Sequence, residues 1–231
     1  MSEHPSDERS GGRLHGTWDA ALHLLDRQIV DDRGRMVGKV DDVELTERPD
    51  GTLEVTGLLL GPPALLPRLS TRAFELWQLA EPHRAGREQP GRIDIAHVTA
   101  LTSAVRLGSG RQGIVRPQQS VPGNGLRRLA DLLGQEVVLD GDPAGVVIDA
   151  RVESRGGRLV VASIVAGAGR PGSLLGYDRR RANGPAPVAR LVAWLHRHSW
   201  VADAERADVV WASRRVEVSG PVRPLLEGTA D

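Results

Sequence analysis

The chain has 231 residues, with 30 basic side chains, 30 acidic side chains and no cysteine. The lack of cysteine excludes disulfides, thiolate metal sites and cysteine nucleophiles. A net charge of zero provides no overall field that would attract nucleic acid or an anionic membrane.

Arginine far outnumbers lysine, because Lys39 is the only lysine. With 27 glycines and 15 prolines, this bias is typical of a GC-rich bacterial genome, so arginine clusters carry little weight as functional signals. The N-terminus lacks the apolar core of a signal peptide, and no apolar run approaches the roughly 18–20 residues that span a bilayer. We expect a soluble, cytoplasmic bacterial protein.

Polar segments divide the chain. Residues 1–16 are rich in Ser, Gly, Asp and Arg, which predicts a disordered tail. Residues 109–125 contain several glycines and prolines and are predicted to be a flexible linker. These segments leave two units of similar size, residues 17–108 and 126–220, and a C-terminal tail at 221–231.

The two units resemble each other in sequence. Residues 37–61 align with residues 144–167 with one gap, at a turn. The aligned positions keep the order Gly, Val, Asp, Leu or Val, turn, Leu, Val, Leu or Val, Gly. The repeat-matched structural positions are Gly38, Asp42 and Gly61 in the first unit and Gly145, Asp149 and Gly167 in the second. We infer an internal duplication with a period of about 107 residues.

Each unit is predicted to contain a β-hairpin, a helical insert and short closing strands. The hairpins are expected to turn at residues 49–51 and at Gly156-Gly157. The closing strands are expected within residues 93–107 and 207–218. Each insert has an apolar stripe that should cover an open end of its own barrel. The stripes consist of Leu69, Ala73, Leu76, Trp77 and Ala80, and of Val188, Leu191, Val192 and Leu195, the second following Pro187.

Two segments carry a family resemblance: GRMVGKVDDVEL at residues 34–45 and GDPAGVVIDARV at residues 141–152. They resemble the core pattern of the PRC-barrel family, and the likeness extends over residues 22–108 and 129–219. The Pro-Trp pair that the family often has near its end is replaced here by Ala96-His97. The resemblance implies a mainly β fold with two tandem small β-barrels, used as binding or assembly modules. Related barrels occur on a ribosome-maturation factor, and the resemblance implies no catalytic residue.

One segment has the spacing of a dinucleotide-binding loop, Gly-x-Gly-x-x-Gly at 167–172. Its counterpart in the first unit begins Gly61-Pro62-Pro63, and proline lacks the amide donors that bind pyrophosphate. No carboxylate ends a strand about 20 residues later, as the motif requires. We therefore interpret these glycines as the end of a strand, and a nucleotide-binding enzyme as the least favoured function.

Acidic residues offer two candidate sites. Asp42 and Asp149 occupy the one acidic position that both units share, where they could bind a metal or act as general bases. We favour a structural role, in which each accepts hydrogen bonds from a neighbouring turn or bulge. Asp41, Asp42 and Glu44 form a cluster in the first unit only, which suggests a solvated face or weak Mg²⁺ binding. His196 and His198 would point in different directions on a helix, so we expect no metal site there.

The strongest basic cluster lies in the second unit. Arg179, Arg180 and Arg181 follow Tyr177, and this group could bind the phosphates and bases of RNA, together with Arg127 and Arg128. A solvated loop is the favoured interpretation because the chain as a whole is neutral. The five tryptophans are expected in the core or between the barrels.

The sequence therefore favours a non-catalytic adaptor or assembly module that recognises a protein partner and needs no cofactor. An RNA- or ribosome-associated factor is the alternative. The two units are expected to pack about a pseudo-twofold axis because each has strand edges that need covering. A homodimer is also compatible with the sequence.

Overall fold

The computed structural model describes residues 14, 16–69, 89–110, 112–119, 125–171, 192 and 194–225. Strands predominate, which confirms the mainly β prediction. Thirteen strands form one sheet and four form a second. Neither sheet closes on itself within the described residues, so the two closed barrels remain a prediction.

The described elements follow the same order in the two units. The first unit contains β1 (Thr17–Asp19), α1 (Ala20–His23), β2 (Gln28–Val30), β3 (Met36–Lys39), β4 (Asp42–Glu47), β5 (Leu53–Leu60), α2 (Pro62–Leu69), β6 (Gly91–Asp94), the 3-10 helix η1 (Ile95–His97), β7 (Val98–Leu101), β8 (Val105–Leu107) and β9 (Arg116–Pro117). The second unit contains β10 (Leu126–Arg128), α3 (Leu129–Leu132), β11 (Glu136–Leu139), β12 (Asp142–Arg155), β13 (Arg158–Gly167), β14 (Trp200–Asp203), η2 (Ala204–Arg206), β15 (Ala207–Val210), η3 (Trp211–Ser213), β16 (Arg215–Val218) and β17 (Arg223–Pro224).

Both predicted hairpins are confirmed. β4 pairs antiparallel with β5, and β12 pairs antiparallel with β13. In the second hairpin Gly156 and Gly157 form the turn, with φ angles of 58° and 82°. Two successive residues with positive φ define the tight turn that matches the twist of the flanking strands, and glycine adopts this conformation without steric cost.

The boundaries predicted for the linker and the C-terminal tail need correction. β9 lies inside the predicted linker 109–125 and pairs with β6, and Gln118 beside it is buried. β17 lies inside the predicted tail 221–231 and pairs with β14. Both short strands follow a valine in a Val-Arg-Pro triplet, at residues 115–117 and 222–224. These triplets extend the repeat, so each unit ends one strand later than its polar composition suggests.

The two units exchange their N-terminal strands. β1 of the first unit pairs with β12 of the second, and β10 of the second pairs with β4 of the first. β5 and β13 also pair, so that Glu54 lies opposite Val160, its own counterpart in the repeat. This self-opposed pair places a pseudo-twofold axis between the units. The predicted packing about such an axis is confirmed, and each unit covers strand edges of the other.

The larger of two hydrophobic core clusters runs through both units, and the smaller one lies within the second unit. The buried members of the larger cluster include Leu24 and Leu45 from the first unit and Leu132 and Val152 from the second. Since the core has no gap between the units, residues 17–108 and 126–220 share one core and are not two separately packed domains.

The helical inserts are described only in part. α2 begins at Pro62, seven residues before the predicted stripe, and is described as far as Leu69. The positions Ala73, Leu76, Trp77 and Ala80, like Pro187, Val188 and Leu191, lie outside the described residues. In the second insert Val192 is buried, whereas Leu195 is half exposed.

The matched glycines of the second unit lie where two backbone segments meet closely. Gly145 has a φ of 110°, and a Cβ atom there would lie 2.5 Å from the carbonyl oxygen of Gly167. Gly167 is the last residue of β13, which confirms that this glycine ends a strand. Gly38 lies in β3, and Gly61 follows β5 with a φ of 94°.

Replacing Gly145 with alanine should lower the free energy of unfolding by roughly 3 kcal/mol, because the residue has positive φ and its Cβ would contact backbone. Urea unfolding followed by circular dichroism measures the change. Gly169→Ala is the matched control, since Gly169 is not among the glycines with positive φ. It should stay within about 0.5 kcal/mol of the wild type. Equal stability of the two variants would contradict the explanation.

Candidate functional site at the junction of the two units

The two matched aspartates each cap a helix of the opposite unit. The Oδ1 atom of Asp42 accepts a hydrogen bond from the backbone N–H of Ala130 in α3, at 3.2 Å. The Oδ1 atom of Asp149 accepts one from the N–H of Ala21 in α1, at 2.8 Å. Both side chains are buried. The unpaired N–H groups at a helix N-terminus favour a carboxylate, so each aspartate joins the units.

Asp42 and Asp149 therefore make structural contacts, but with the opposite unit and not with a neighbouring turn or bulge. Each carboxylate also accepts the N–H of the next residue in its strand. The partner in the other unit lies 88 residues away for Asp42 and 128 residues away for Asp149. No local pattern in the sequence indicates such a contact.

Burial raises the pKa of Asp42 to about 7, and the hydrogen bonds from Val43 and Ala130 and the positive charge of Arg128 oppose the increase only in part. Its Oδ2 atom is buried and has no hydrogen-bond partner among the described residues. Desolvation without a full set of partners favours the neutral acid. The carboxyl group of Asp42 therefore titrates near neutral pH.

In a second pair of matched contacts, the acidic and the basic residue exchange places between the two units. Asp19 lies directly opposite Arg151, and its Oδ1 atom accepts a hydrogen bond from Nε of Arg151 at 3.1 Å. At the matching position Arg128 lies directly opposite Glu44. Gln118 connects these two, since it accepts from Arg128 at 3.2 Å and donates to Glu44 at 2.9 Å.

Glu44 is the centre of a buried polar network. Its Oε1 atom accepts hydrogen bonds from Nε of Arg92 at 2.7 Å and from the hydroxyl of Thr56 at 2.9 Å. Arg92 also donates to the carbonyl of Thr56 and to Asp94. A cavity of about 350 Å³ opens beside this network. The side chains of Glu44, Thr56, Arg92 and Asp94 all make hydrogen bonds with other protein groups, so the network is rigid.

The second unit has Arg151 at the position of Glu44 and apolar side chains at three other positions of the network. The positions of Thr56, Arg92 and Gln118 are occupied by Ala162, Val201 and Leu225, all of them buried. The fold thus forms without this network, which exists in the first unit alone.

The predicted acidic cluster does not form a shared site. Asp41 accepts a hydrogen bond from the N–H of Gly61 at 2.6 Å, Asp42 caps α3, and Glu44 binds Arg92. Three carboxylates with three different sets of partners do not converge on one ion. Among the described residues no group of three acidic or histidine side chains could hold a metal.

A cleft of about 660 Å³ separates the turn of the first hairpin from the closing strands of the second unit. Buried Leu53, Val161 and Ile164 form its apolar floor together with Val209. Five acidic side chains and two basic ones surround it. We call it the acidic cleft, and its charged residues are Glu47, Asp50, Arg155, Glu205, Arg206, Asp208 and Glu217.

Several charges of the acidic cleft are neutralised within the protein. Glu47 lies 3.5 Å from Arg127, and Glu205 lies 3.1 Å from Arg155. Asp208 and Glu217 are both exposed and lie directly opposite each other on β15 and β16. Neither has an ion-pair partner in the part of the chain that the structure describes. Like charges in this arrangement are unfavourable in isolation and favour a cation between them.

The matching surface of the first unit lacks this acidity. The positions of Glu205, Asp208 and Glu217 are occupied by Ala96, Thr99 and Arg106. The closing strands of the two units therefore differ in charge at these matched positions, where the second unit alone carries carboxylates.

The predicted arginine face is not assembled by the described residues. Tyr177, Arg179, Arg180 and Arg181 lie outside them. Arg127 stacks on Trp211 at 4.9 Å, and Arg128 donates to the carbonyl of Pro63 at 3.0 Å. Contacts within the protein therefore occupy both of the arginines that were expected to extend the face.

The remaining sequence candidates have structural environments. His196 is buried beside the hydroxyl of Ser199, at 3.1 Å, whereas His198 is exposed. Trp18, Trp200 and Trp211 pack against the core as predicted. Trp194 is 60% exposed.

One concavity is larger than the acidic cleft. It measures about 810 Å³ and lies beside the turn between β2 and β3, where Asp32, Arg33 and Arg35 mix opposite charges. The Oδ2 atom of buried Asp31 already binds Arg35, at 2.8 Å. This concavity has no buried floor, so the acidic cleft is the stronger candidate.

Comparisons with known proteins identify no relative. No protein-family model matches the chain, and a search of curated proteins gives no significant match. None of the described helices combines the length and apolar composition that crossing a bilayer requires.

Replacing Asp42 with asparagine should remove a pH dependence of stability. The pKa of Asp42 is about 7 in the folded protein, above the ordinary value of 3.8, so the folded state binds the proton more tightly. Its contribution to stability is complete below pH 4 and is lost as the pH rises towards 7. As the pH rises over this range, the wild type should therefore lose unfolding free energy that Asp42→Asn does not lose.

Chemical denaturation at pH 4.5, 6 and 8 measures this shift. Asp142→Asn, which changes an exposed aspartate, is the control and should show a constant difference from the wild type. A constant difference for Asp42→Asn as well would contradict the assigned titration.

Replacing Arg92 with valine, the residue of the second unit, should destabilise the protein by about 3 kcal/mol. The change leaves the buried carboxylate of Glu44 without its cation, and a buried charge without a partner is strongly unfavourable. Asp94→Asn changes the half-exposed partner of the same arginine and should cost less than about 1 kcal/mol. Thermal unfolding distinguishes the two, and similar losses would show that Glu44 does not depend on Arg92.

Proposed function

We propose that this chain is a non-catalytic binding module, a tandem pair of PRC-barrel-like units, that recognises a basic segment of a partner protein in the acidic cleft. The observation that carries the proposal is the combination of an apolar floor with the exposed carboxylates of Asp208 and Glu217. Apolar side chains supply affinity by leaving water, and the carboxylates select lysine or arginine.

The two units support the resemblance on which the proposal partly rests. Both contain the hairpin and the short closing strands of the family pattern, in the same order. The resemblance implies binding and assembly, and a rigid scaffold that presents one charged cleft is suited to that use.

The contacts at the junction support a non-catalytic function. The buried carboxylates of Asp42, Asp149 and Glu44 all accept hydrogen bonds from protein groups. They connect the two units and hold side chains in place. The acidic cleft also favours a protein partner over RNA, because its carboxylates repel phosphate.

Affinity capture from a lysate of the source organism tests the proposal. The full-length wild type is compared with Asp208→Asn/Glu217→Gln, and the control Asp32→Asn/Asp142→Asn removes two exposed carboxylates that do not line the cleft. We expect a nuclease-insensitive partner that the wild type and the control retain and the cleft variant loses. Carboxyl-to-amine cross-linking should then join the partner's lysines to the cleft.

Two results would contradict the proposal. Equal capture of the partner by all three proteins would place the binding surface elsewhere. Capture of RNA or ribosomal proteins that disappears on nuclease treatment would instead support the RNA-associated function.

A further inference from the structure

The acidic cleft also has an open backbone edge. β15 pairs with β16 on one side, and no described strand pairs with its other side. The N–H and C=O groups of alternate residues in such an edge point away from the sheet, where another chain can pair with them. The N–H of Ala207 is already donated to the carbonyl of Ala204, so the edge that remains for pairing lies at Val209. Ala207, Asp208 and Val209 of this strand line the cleft.

We propose that the partner segment binds in extended form and adds to β15 as a further strand of the sheet. This inference rests on the proposed function and specifies how the cleft would hold its ligand. Backbone hydrogen bonds along an edge strand supply affinity in this binding mode, and alternate side chains supply specificity.

The side chains of β15 define the pattern of the ligand. Ala207 and Val209 pack towards the core, whereas Asp208 points to the opposite face beside Glu217. Successive side chains of an added strand also alternate between the two faces. The segment should therefore alternate basic residues, which contact Asp208 and Glu217, with apolar residues, which contact Val209.

Charge excludes a second copy of this chain as the occupant. Pairing of two β15 edges would place the carboxylates of Asp208 and Glu217 from one copy against those of the other. Like charges opposite each other destabilise a sheet. The matching strand β7 carries Thr99 and lies beside Arg106, so it lacks the carboxylates that attract a basic segment. We expect one binding site for each chain.

Fluorescence anisotropy with a labelled Arg-Val-Arg-Val-Arg-Val peptide tests the inference on the full-length chain at low ionic strength. A second peptide has the same sequence and charge and a methyl group on every internal backbone nitrogen, which removes the donors for strand pairing. We expect a single site for the first peptide and at least tenfold weaker binding of the second.

The cleft variants separate this inference from the proposed function. Asp208→Asn/Glu217→Gln should bind the first peptide about tenfold more weakly, and Asp32→Asn/Asp142→Asn should bind it like the wild type. If both peptides bind the wild type equally and the cleft variant loses both, strand addition is wrong and the acidic cleft still recognises basic segments. If the cleft variant binds like the wild type, or the first peptide does not bind, both proposals fail.

Discussion

The reciprocal exchange of N-terminal segments is the constraint on which the rest of this structure depends. Each unit contributes a strand and a short helix to the hairpin of the other, and a buried aspartate of that hairpin accepts an N–H at the helix N-terminus. Neither α1 nor α3, at four residues each, is long enough to be stable alone. Their position is fixed by contacts with the opposite unit, so neither half has a complete core without the other.

Duplication provides an internal comparison between residues that the fold requires and residues that it does not. The aspartates that recur at matched positions cap helices, and Gly145 and Gly167 make close backbone contacts. Both halves retain glycine and aspartate at these positions. The network around Glu44 has no counterpart at the matched positions, and neither do the carboxylates that the second unit contributes to the acidic cleft. Residues that differ between matched positions are therefore where a specific function of this chain is most directly encoded.

The mainly β fold, the hairpins and the duplication could be predicted because each depends on local alternation, on glycine turns or on repeated positions. The role of Asp42 could not be predicted fully, since its partner Ala130 is 88 residues away. The ends of the units were misplaced because Arg116–Pro117 and Arg223–Pro224 lie in polar surroundings, although the repeated Val-Arg-Pro triplet marks both. The cleft depends on which strands end beside each other, and hydrophobic periodicity does not contain that information.

The opposite charges at the matched positions of the junction determine which halves are compatible. If two copies of the first unit exchanged strands, Asp19 of one would lie opposite Glu44 of the other, and two buried carboxylates would repel. Two copies of the second unit would bring Arg128 opposite Arg151. Only the pairing of a first unit with a second unit places an acid and a base together in both contacts. The charges thus select a first unit and a second unit as partners and disfavour pairing between two copies of the same unit. The covalent connection, and not these charges, favours pairing within one chain.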